Sequence, residues 1–113
     1  MAIFYKNQGY DLTTTNLTTV LTISASTVAI IKEISIANDD NSAHETSFYF
    51  YDLSASTSYK FYHTNVAADS NDNAVHNALV LEEGDYLQAQ CVVANVISGQ
   101  ISYALLTRSG ENG

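Results

Sequence analysis

The sequence predicts an all-β protein that folds as a single antiparallel β-sandwich, of either the jelly-roll or the immunoglobulin-like type. Strand-forming residues dominate the chain, chiefly Thr, Val, Ile, Tyr and Phe, and proline is absent. Apolar and polar side chains alternate over short stretches, which polar breaks separate at intervals of about 8 to 12 residues. No long stretch shows a helical period with capping residues.

About eight strands are expected, because the first two candidate segments can form one bent arm. The segments are roughly 2–6, 10–15, 17–23, 27–37, 45–53, 58–64, 76–82, 85–94 and 100–107. The whole chain, residues 1–113, is predicted to be one domain. Residues 1–9 are a candidate N-terminal arm, and 108–113 are expected to form a loose tail.

The segments 17–23 and 27–37 show the alternation of half-buried strands. In LTTVLTI, the two leucines and Ile23 share one face. In VAIIKEISI, one face carries Val28, Ile30, Ile34 and Ile36 together with Lys32. A charge within an apolar row predicts a bulge or a strand end near Lys32.

Two aromatic segments, FYFYD at 48–52 and YKFYH at 59–63, are predicted to form a hairpin. If the phenylalanines face the core, tyrosines form an outward row, and the reverse arrangement is the alternative. We single out Tyr49, Tyr51 and Tyr62 as interface candidates, because tyrosine is enriched at protein interfaces. Cross-strand packing within the domain and sugar stacking are the alternative roles for these rings.

The stretch ALVLEEGDYLQAQ at 78–90 places an acidic knot between two strand-like runs. We interpret residues 82–85 as a short hairpin connection in which Gly84 supplies a positive φ. A carboxylate pair or cation site is the alternative. The last segment, ISYALLT at 101–107, is apolar on both faces and is expected to be central or covered by a partner.

Charge limits the classes of partner. Charged residues make up only 14% of the 113-residue chain, and the formal net charge is −8. Phosphate contacts need Lys and Arg, so no nucleic-acid partner is expected. The same charge opposes docking on anionic membranes, and no apolar run approaches the roughly 20 residues of a transmembrane helix. The N-terminus shows no signal-peptide pattern, so synthesis in a cytosol is expected.

Motifs for chemistry are sparse. The sequence contains no catalytic signature, and we expect no enzymatic activity. Cys91 lies in a strand pattern and is interpreted as a buried, inert thiol. Asp69, Asn71 and Asn73 match the first three ligand positions of a calcium loop. The match fails at the later positions, so calcium is a weak candidate and a solvated loop is the alternative.

The N-terminal segment IFYKNQGYDL carries the bulky residues Ile3, Phe4, Tyr5 and Tyr10. Leaving such residues exposed is costly, so they are predicted to pack on a neighbouring subunit. Together with the outward tyrosines, these residues predict a closed homo-oligomer, with a trimer as the favoured number.

Four segments that span most of the chain share a pattern with a known class of proteins. They are YDLTTTNLTTVLTISASTVAIIKEISIAND at 10–39, FYFYDLSAST at 48–57, ALVLEEGDYLQAQ at 78–90 and GQISYALLT at 99–107. The third contains an L-x-L-E-x-G-D-x-L turn, made by Leu79, Leu81, Glu82, Gly84, Asp85 and Leu87. In this order and spacing the chain resembles small structural proteins of tailed bacteriophages, especially those of marine bacteria and cyanobacteria.

The resemblance implies a β-sandwich that coats or joins parts of a virion. Its leading form is a capsid decoration or cement protein, which contacts copies of itself and the major capsid protein and stabilises the head. A tail or baseplate component is the second structural hypothesis. A carbohydrate-binding β-sandwich module is the alternative from a different class.

Overall fold

The computed structural model describes residues 2–107, which form nine β-strands and no helix. The strands are β1 (Ala2–Leu12), β2 (Thr18–Thr22), β3 (Thr27–Asn38), β4 (His44–Asp52), β5 (Thr57–Val66), β6 (Asn71–Asn73), β7 (Leu79–Leu81), β8 (Tyr86–Cys91) and β9 (Ile97–Thr107). The all-β prediction is confirmed. The predicted segments 2–6 and 10–15 are one strand, and β6 was not predicted. The described range contains no helix long and apolar enough to cross a membrane, and the predicted tail at 108–113 lies outside it.

The strands form two antiparallel sheets. Sheet I has the order β1-β9-β3-β6, with β7 also paired to β3, and sheet II has the order β2-β8-β4-β5. The pairs are nested along the chain, β1 with β9, β2 with β8, β3 with β6 and β7, and β4 with β5. This nested order, with the chain crossing between sheets at most connections, is that of a jelly roll. An immunoglobulin-like domain instead places its first strand beside its second, so that alternative is wrong.

A continuous apolar core fills the space between the sheets. Its fully buried side chains include Leu12, Ile31, Phe48, Leu87 and Ile101, each from a different strand. They face inward because successive residues of a strand point to opposite faces, which leaves the alternate positions for solvent. Cys91 lies in the same core as a free thiol.

Strand β3 contains the bulge that the sequence predicted near Lys32. The register against β9 shifts at this residue, whose side chain is exposed. An inserted residue changes the face that the following side chains occupy. Ile34 and Ile36 are therefore fully buried, while Val28 and Ile30 lie on the outer face of sheet I. The prediction that all four share one face is wrong.

Tyr10, which was predicted to contact a neighbouring subunit, is instead part of the core. Its side chain is only 8% exposed, and its hydroxyl donates to the backbone oxygen of Ser35 over 2.6 Å. The ring meets Phe48 edge to face, with centroids 5.9 Å apart. Gly99 leaves room for this contact, because a Cβ at that position would lie 2.7 Å from the Tyr10 hydroxyl.

Asn38 ties two loops together at one end of the sandwich. Its side chain is 3% exposed, and its amide nitrogen donates to the backbone oxygens of Ser42, Val66 and Ala67. Its amide oxygen accepts from the backbone N–H of Asp40. Without Asn38, these carbonyl groups would be buried with no hydrogen-bond donor. Each unpaired carbonyl group would cost about 1–3 kcal/mol.

Alkaline pH should reveal the burial of Tyr10. Desolvation raises the pKa of its phenol above the ordinary range, whereas the unfolded chain ionises near pH 10. The contribution to the free energy of unfolding is therefore fully present below about pH 10 and is lost as the pH rises further. We expect Tyr10→Phe to flatten this loss, measured by urea unfolding from pH 8 to pH 11. At pH 8 the variant should be about 1 kcal/mol less stable, because Ser35 loses its donor. Equal slopes in both proteins would show that Tyr10 is not the group responsible.

A buried hydroxyl gives a second test of the core. Thr46 is fully buried, and its Oγ1 has no hydrogen-bond partner within residues 2–107. Thr46→Val keeps the shape and removes the unpaired hydroxyl, so the free energy of unfolding should stay level or rise by up to about 1 kcal/mol. The matched control is Thr64→Val, because the Thr64 hydroxyl donates to Asp72 over 3.0 Å. This variant should lower the free energy of unfolding by about 1 kcal/mol. An equal loss in both variants would contradict the assignment.

Candidate functional site

The outer face of sheet I carries an exposed apolar strip near the start of β1. Two neighbouring rows of side chains cross the sheet there. One row contains Ile3, Leu106 and Val28, and the other contains Tyr5, Ala104, Ile30 and Val80. Ile3 and Val80 are each 56% exposed, and Tyr5 is 85% exposed. Their neighbours along the strands, such as Ile31 and Leu81, are fully buried, so the strip faces away from the core.

The apolar strip has a polar border and no charged member. The next row across the sheet contains Asn7, Ser102 and Glu33. From the strand spacing and the rise per residue, the strip covers roughly 250 Å² of sheet face. Larger apolar patches with polar rims mark protein contact sites, and a patch of this size is comparable with those on ordinary monomers. On a chain of net charge −8, an uncharged strip is also where another acidic molecule meets little repulsion.

The predicted N-terminal arm is the first part of an edge strand. Residues 2–9 pair with β9 along their whole length. Phe4 points to the opposite side of the sheet from Ile3 and Tyr5 and is 52% exposed. These bulky residues are thus exposed in the single chain, and their packing on a neighbouring subunit stays a prediction.

The outer face of sheet II carries the outward tyrosines. Tyr49 and Tyr51 lie on this face, which is the predicted arrangement in which the phenylalanines face the core. Tyr86 of β8 lies directly opposite Tyr51. The rings of Tyr51 and Tyr86 stack with centroids 4.6 Å apart and planes 10° apart. The ammonium of Lys60 lies 5.5 Å from the centre of the Tyr49 ring. Sequence reasoning missed Tyr86, although its alternation with the core residues of β8 gave the signal.

Tyr62 does not belong to this outward row. The register between β4 and β5 shifts after Phe48, which places Tyr62 beside Phe48 on the inner side. Its ring lies 5.5 Å from that of His76. Burial, together with a hydrogen bond to Asp72, raises the pKa of the Tyr62 phenol. The prediction that Tyr62 belongs to the outward row of tyrosines is therefore wrong, and its ring packs against one side of the core.

The acidic knot at 82–85 is a turn, but it is not a hairpin. It joins β7 of sheet I to β8 of sheet II, so it carries the chain across the sandwich. Gly84 has the predicted positive φ, 85°. Asp85 is 4% exposed, and its two carboxylate oxygens accept from the backbone N–H groups of Leu53, at 3.0 Å, and Glu82, at 2.9 Å. The carboxylate is therefore committed to holding two turns together.

Three carboxyl groups come together beside this turn. Oxygens of Asp52, Glu82 and Asp85 lie within 4.8 Å of one another, next to an open cleft of about 400 Å³. Oxygen ligands of this kind suit calcium or magnesium. The geometry also has a structural explanation, since Asp85 serves the backbone and Asp52 accepts from the N–H and hydroxyl of Ser54.

The calcium candidates Asp69, Asn71 and Asn73 have different structural roles. Asp69 lies in a turn with a φ of 49°, and Asn71 and Asn73 bound the short strand β6. The side-chain oxygen of Asn73 accepts from the backbone N–H groups of Ile34 and Val75, each at 3.1 Å. This oxygen secures β6 to the part of β3 that follows the bulge, which leaves the calcium pattern without its third ligand.

The neighbouring acidic loop is also held internally. The carboxylate of Asp40 lies 2.6 Å from the Nε2 of His44 and accepts from the backbone N–H of Asn41. The hydrogen bond to His44, followed by that from Asn41, lowers the pKa of Asp40. This pair stabilises the loop between β3 and β4.

No family model matches the sequence, and no curated protein is similar to it. Among solved structures, a chain of the Bacillus endospore appendages, described as a novel family of disulfide-linked pili, gives a TM-score of 0.52 at 13% identity over 91% of this chain and 85% of that one. The Drosophila NLP core, studied for pentamer formation and histone binding, gives 0.54 at 10% identity over 95% and 100%. A chain of infectious bursal disease virus, Gt strain, gives only 0.34 at 9% identity over 97% and 32%. The first two similarities show the fold alone.

Replacing Asp85 should test whether its carboxylate serves the backbone. Asparagine at this position presents an N–H group to a backbone donor, so Asp85→Asn should lower the free energy of unfolding by about 1–3 kcal/mol. The control is Glu82→Gln, which alters an exposed member of the same trio and should change stability by less than about 0.5 kcal/mol. If calcium raises the melting temperature of the wild type and not of Asp85→Asn, the trio binds a cation and the structural assignment fails.

Proposed function

We propose that this protein is a non-enzymatic structural protein of a virion, and most specifically a capsid decoration or cement protein of a tailed bacteriophage. The observation that carries the proposal is the apolar strip on sheet I. It is contiguous and uncharged, and it is built from strands rather than loops. Ile3, Tyr5 and Val80 are exposed at its two ends, and Val28, Ile30 and Leu106 are partly exposed around the buried Ala104. A surface of this kind suits permanent contact with another protein more than catalysis or binding of a small ligand.

The fold and its similarities support a structural role at a coarser level. Jelly rolls occur in capsid proteins as well as in lectins and enzymes. The similar pilus chain and the similar pentamer core both belong to assemblies, which agrees with a protein that contacts copies of itself. The finer assignment to a phage head rests on the resemblance of the segments at 10–39, 78–90 and 99–107 to phage structural proteins.

The proposed mechanism is additional apolar contact on the shell. A decoration protein that spans a junction between capsomers buries apolar surface on both sides, so internal pressure must break more contacts to open the head. Burial contributes roughly 25 cal/mol for each Å² removed from water. The partners are further copies of the chain and the major capsid protein, and the location is the virion. A tail or baseplate component would use the strip in the same way on a different scaffold.

The carbohydrate alternative has less support from the geometry. A sugar ring stacks on the open face of an aromatic ring. In the Tyr51–Tyr86 pair each ring covers one face of the other, and Lys60 lies over Tyr49. One face of each outward tyrosine ring is therefore already covered by a neighbouring side chain within sheet II.

Binding to phage heads tests the proposal directly. Purified protein should co-sediment with expanded heads of tailed phages from marine hosts and should bind unexpanded heads more weakly. Val80→Asp places a charge in the strip and should reduce binding at least tenfold, whereas Val92→Asp, equally exposed but outside the strip, should bind as the wild type. Loss of binding in both variants would remove the strip from the interface. Failure to bind any head or tail, together with binding to a polysaccharide through the tyrosines of sheet II, would favour the carbohydrate-binding module.

A further inference from the structure

Most edges of the two sheets are protected against pairing with another chain. An open edge is a template for further strands, and native proteins blunt it with short strands or bulges. In sheet II, β2 has five residues and a register shift after Thr19, and β5 has a shift opposite Phe48. At the far edge of sheet I, β6 and β7 have three residues each.

Strand β1 differs from the other edges of the described chain. It has 11 residues, and its pairing with β9 runs without a shift from Ala2 opposite Thr107 to Leu12 opposite Ile97. Its only charges are Lys6 and Asp11, which cancel, and seven successive residues, 3–9, are exposed. A long, regular edge with exposed Ile3 and Tyr5 is what an unpartnered chain avoids.

We propose that β1 pairs antiparallel with β1 of a second copy across a two-fold axis, so that sheet I continues through both chains. The edges of the two sheets indicate which strand pairs with β1. A copy presents no other long and regular edge within residues 2–107, so its β1 is the matching strand. Two-fold pairing is isologous and closed, and it therefore stops at two chains. The strand carries no net charge, so two acidic chains meet there with little repulsion.

The role of this pairing in the virion rests on the proposed function. A two-fold axis perpendicular to the sheet keeps both outer faces on the same side, so the two apolar strips join. The combined strip covers roughly 500 Å², which is more than half of the roughly 800 Å² per partner of a standard interface. The pair takes the place of the trimer expected from the sequence, and it presents one apolar face to the shell.

Matched lysine variants test the pairing in solution. An edge lysine blocks strand addition, and Tyr5 is 85% exposed in the single chain, so Tyr5→Lys should leave the melting temperature of the monomer unchanged. Light scattering over a concentration series should show a dimer for the wild type and at least a tenfold weaker dimer for Tyr5→Lys. Tyr59→Lys alters the protected edge β5 and should dimerise as the wild type does. A wild type that stays monomeric, or a dimer that survives Tyr5→Lys, overturns the proposal.

A cysteine scan locates the axis. Cys91 is fully buried, so in each variant with one new cysteine at a position from 3 to 7, only the new thiol is available for crosslinking. Opposed residues of an antiparallel pair have Cα atoms about 4.5–5.5 Å apart, which lies within the range of a disulfide. Mild oxidation should link two copies at a single position of the scan, because a two-fold axis places only one residue of β1 opposite itself, and it should not link Tyr59→Cys. Linkage at Tyr59→Cys to the same extent, or at none of the positions from 3 to 7, overturns the proposal.

The two proposals fail in different ways. If the wild type dimerises through β1 but binds no phage head, the pairing stands and the virion role falls. If the wild type binds heads through Val80 while it remains monomeric in solution and uncrosslinked at β1 on the head, the virion role stands and the pairing falls.

Discussion

The buried carboxylate of Asp85 is the contact on which one end of the sandwich depends. Its oxygens accept from Leu53 in the β4–β5 turn and from Glu82 in the β7–β8 turn. The backbone around it completes the arrangement, because Ile23, just after β2, donates to the Asp85 carbonyl and accepts from Gly84. Two stacked sheets share few hydrogen bonds across their core, so their relative position is set by packing and by the loops that join them. Asp85 fixes three of those loops at once.

Asn38 performs the corresponding task at the opposite end. It donates to carbonyl groups from the loop after β3, from the last residue of β5 and from the residue that follows. Both ends of the molecule therefore use their polar side chains internally, which explains why the loop carboxylates that look like ligand sets serve the backbone instead. Within residues 2–107, the longest regular edge that the fold leaves unpaired is β1, and it adjoins the apolar strip. Function is thus expected on the side of the sandwich, away from the loops that carry binding sites in many β-domains.

The sequence predicted local features well and relationships between distant strands poorly. Alternation identified the strands, and the charge of Lys32 located a bulge. The effect of the bulge on the later faces of β3 was missed, and the shift opposite Phe48 reversed Tyr62 in the same way.

Tyr10 was assigned to an interface although it lies two residues from Leu12, and that spacing places both on the inner face. Strand β6 carries no strand-forming pattern, and its pairing comes from the side chain of Asn73 and the edge of β3. The turn at 82–85 was correct as a turn, but which sheets it joins depends on pairings far along the chain.

The size of the apolar strip links the edge to the proposed role. Burying roughly 250 Å² against a partner contributes about 6 kcal/mol at 25 cal/mol per Å². Association costs on the order of 4–15 kcal/mol before any contact is made, so a single strip binds a free partner weakly. Pairing through β1 joins two strips, and a repeating shell offers two sites at fixed spacing, so the second contact forms at a high effective concentration. Under the proposed pairing, a dimer is therefore expected to bind an ordered shell much more tightly than an isolated capsid subunit. The proposed decoration role requires this difference, because it restricts binding to a completed shell.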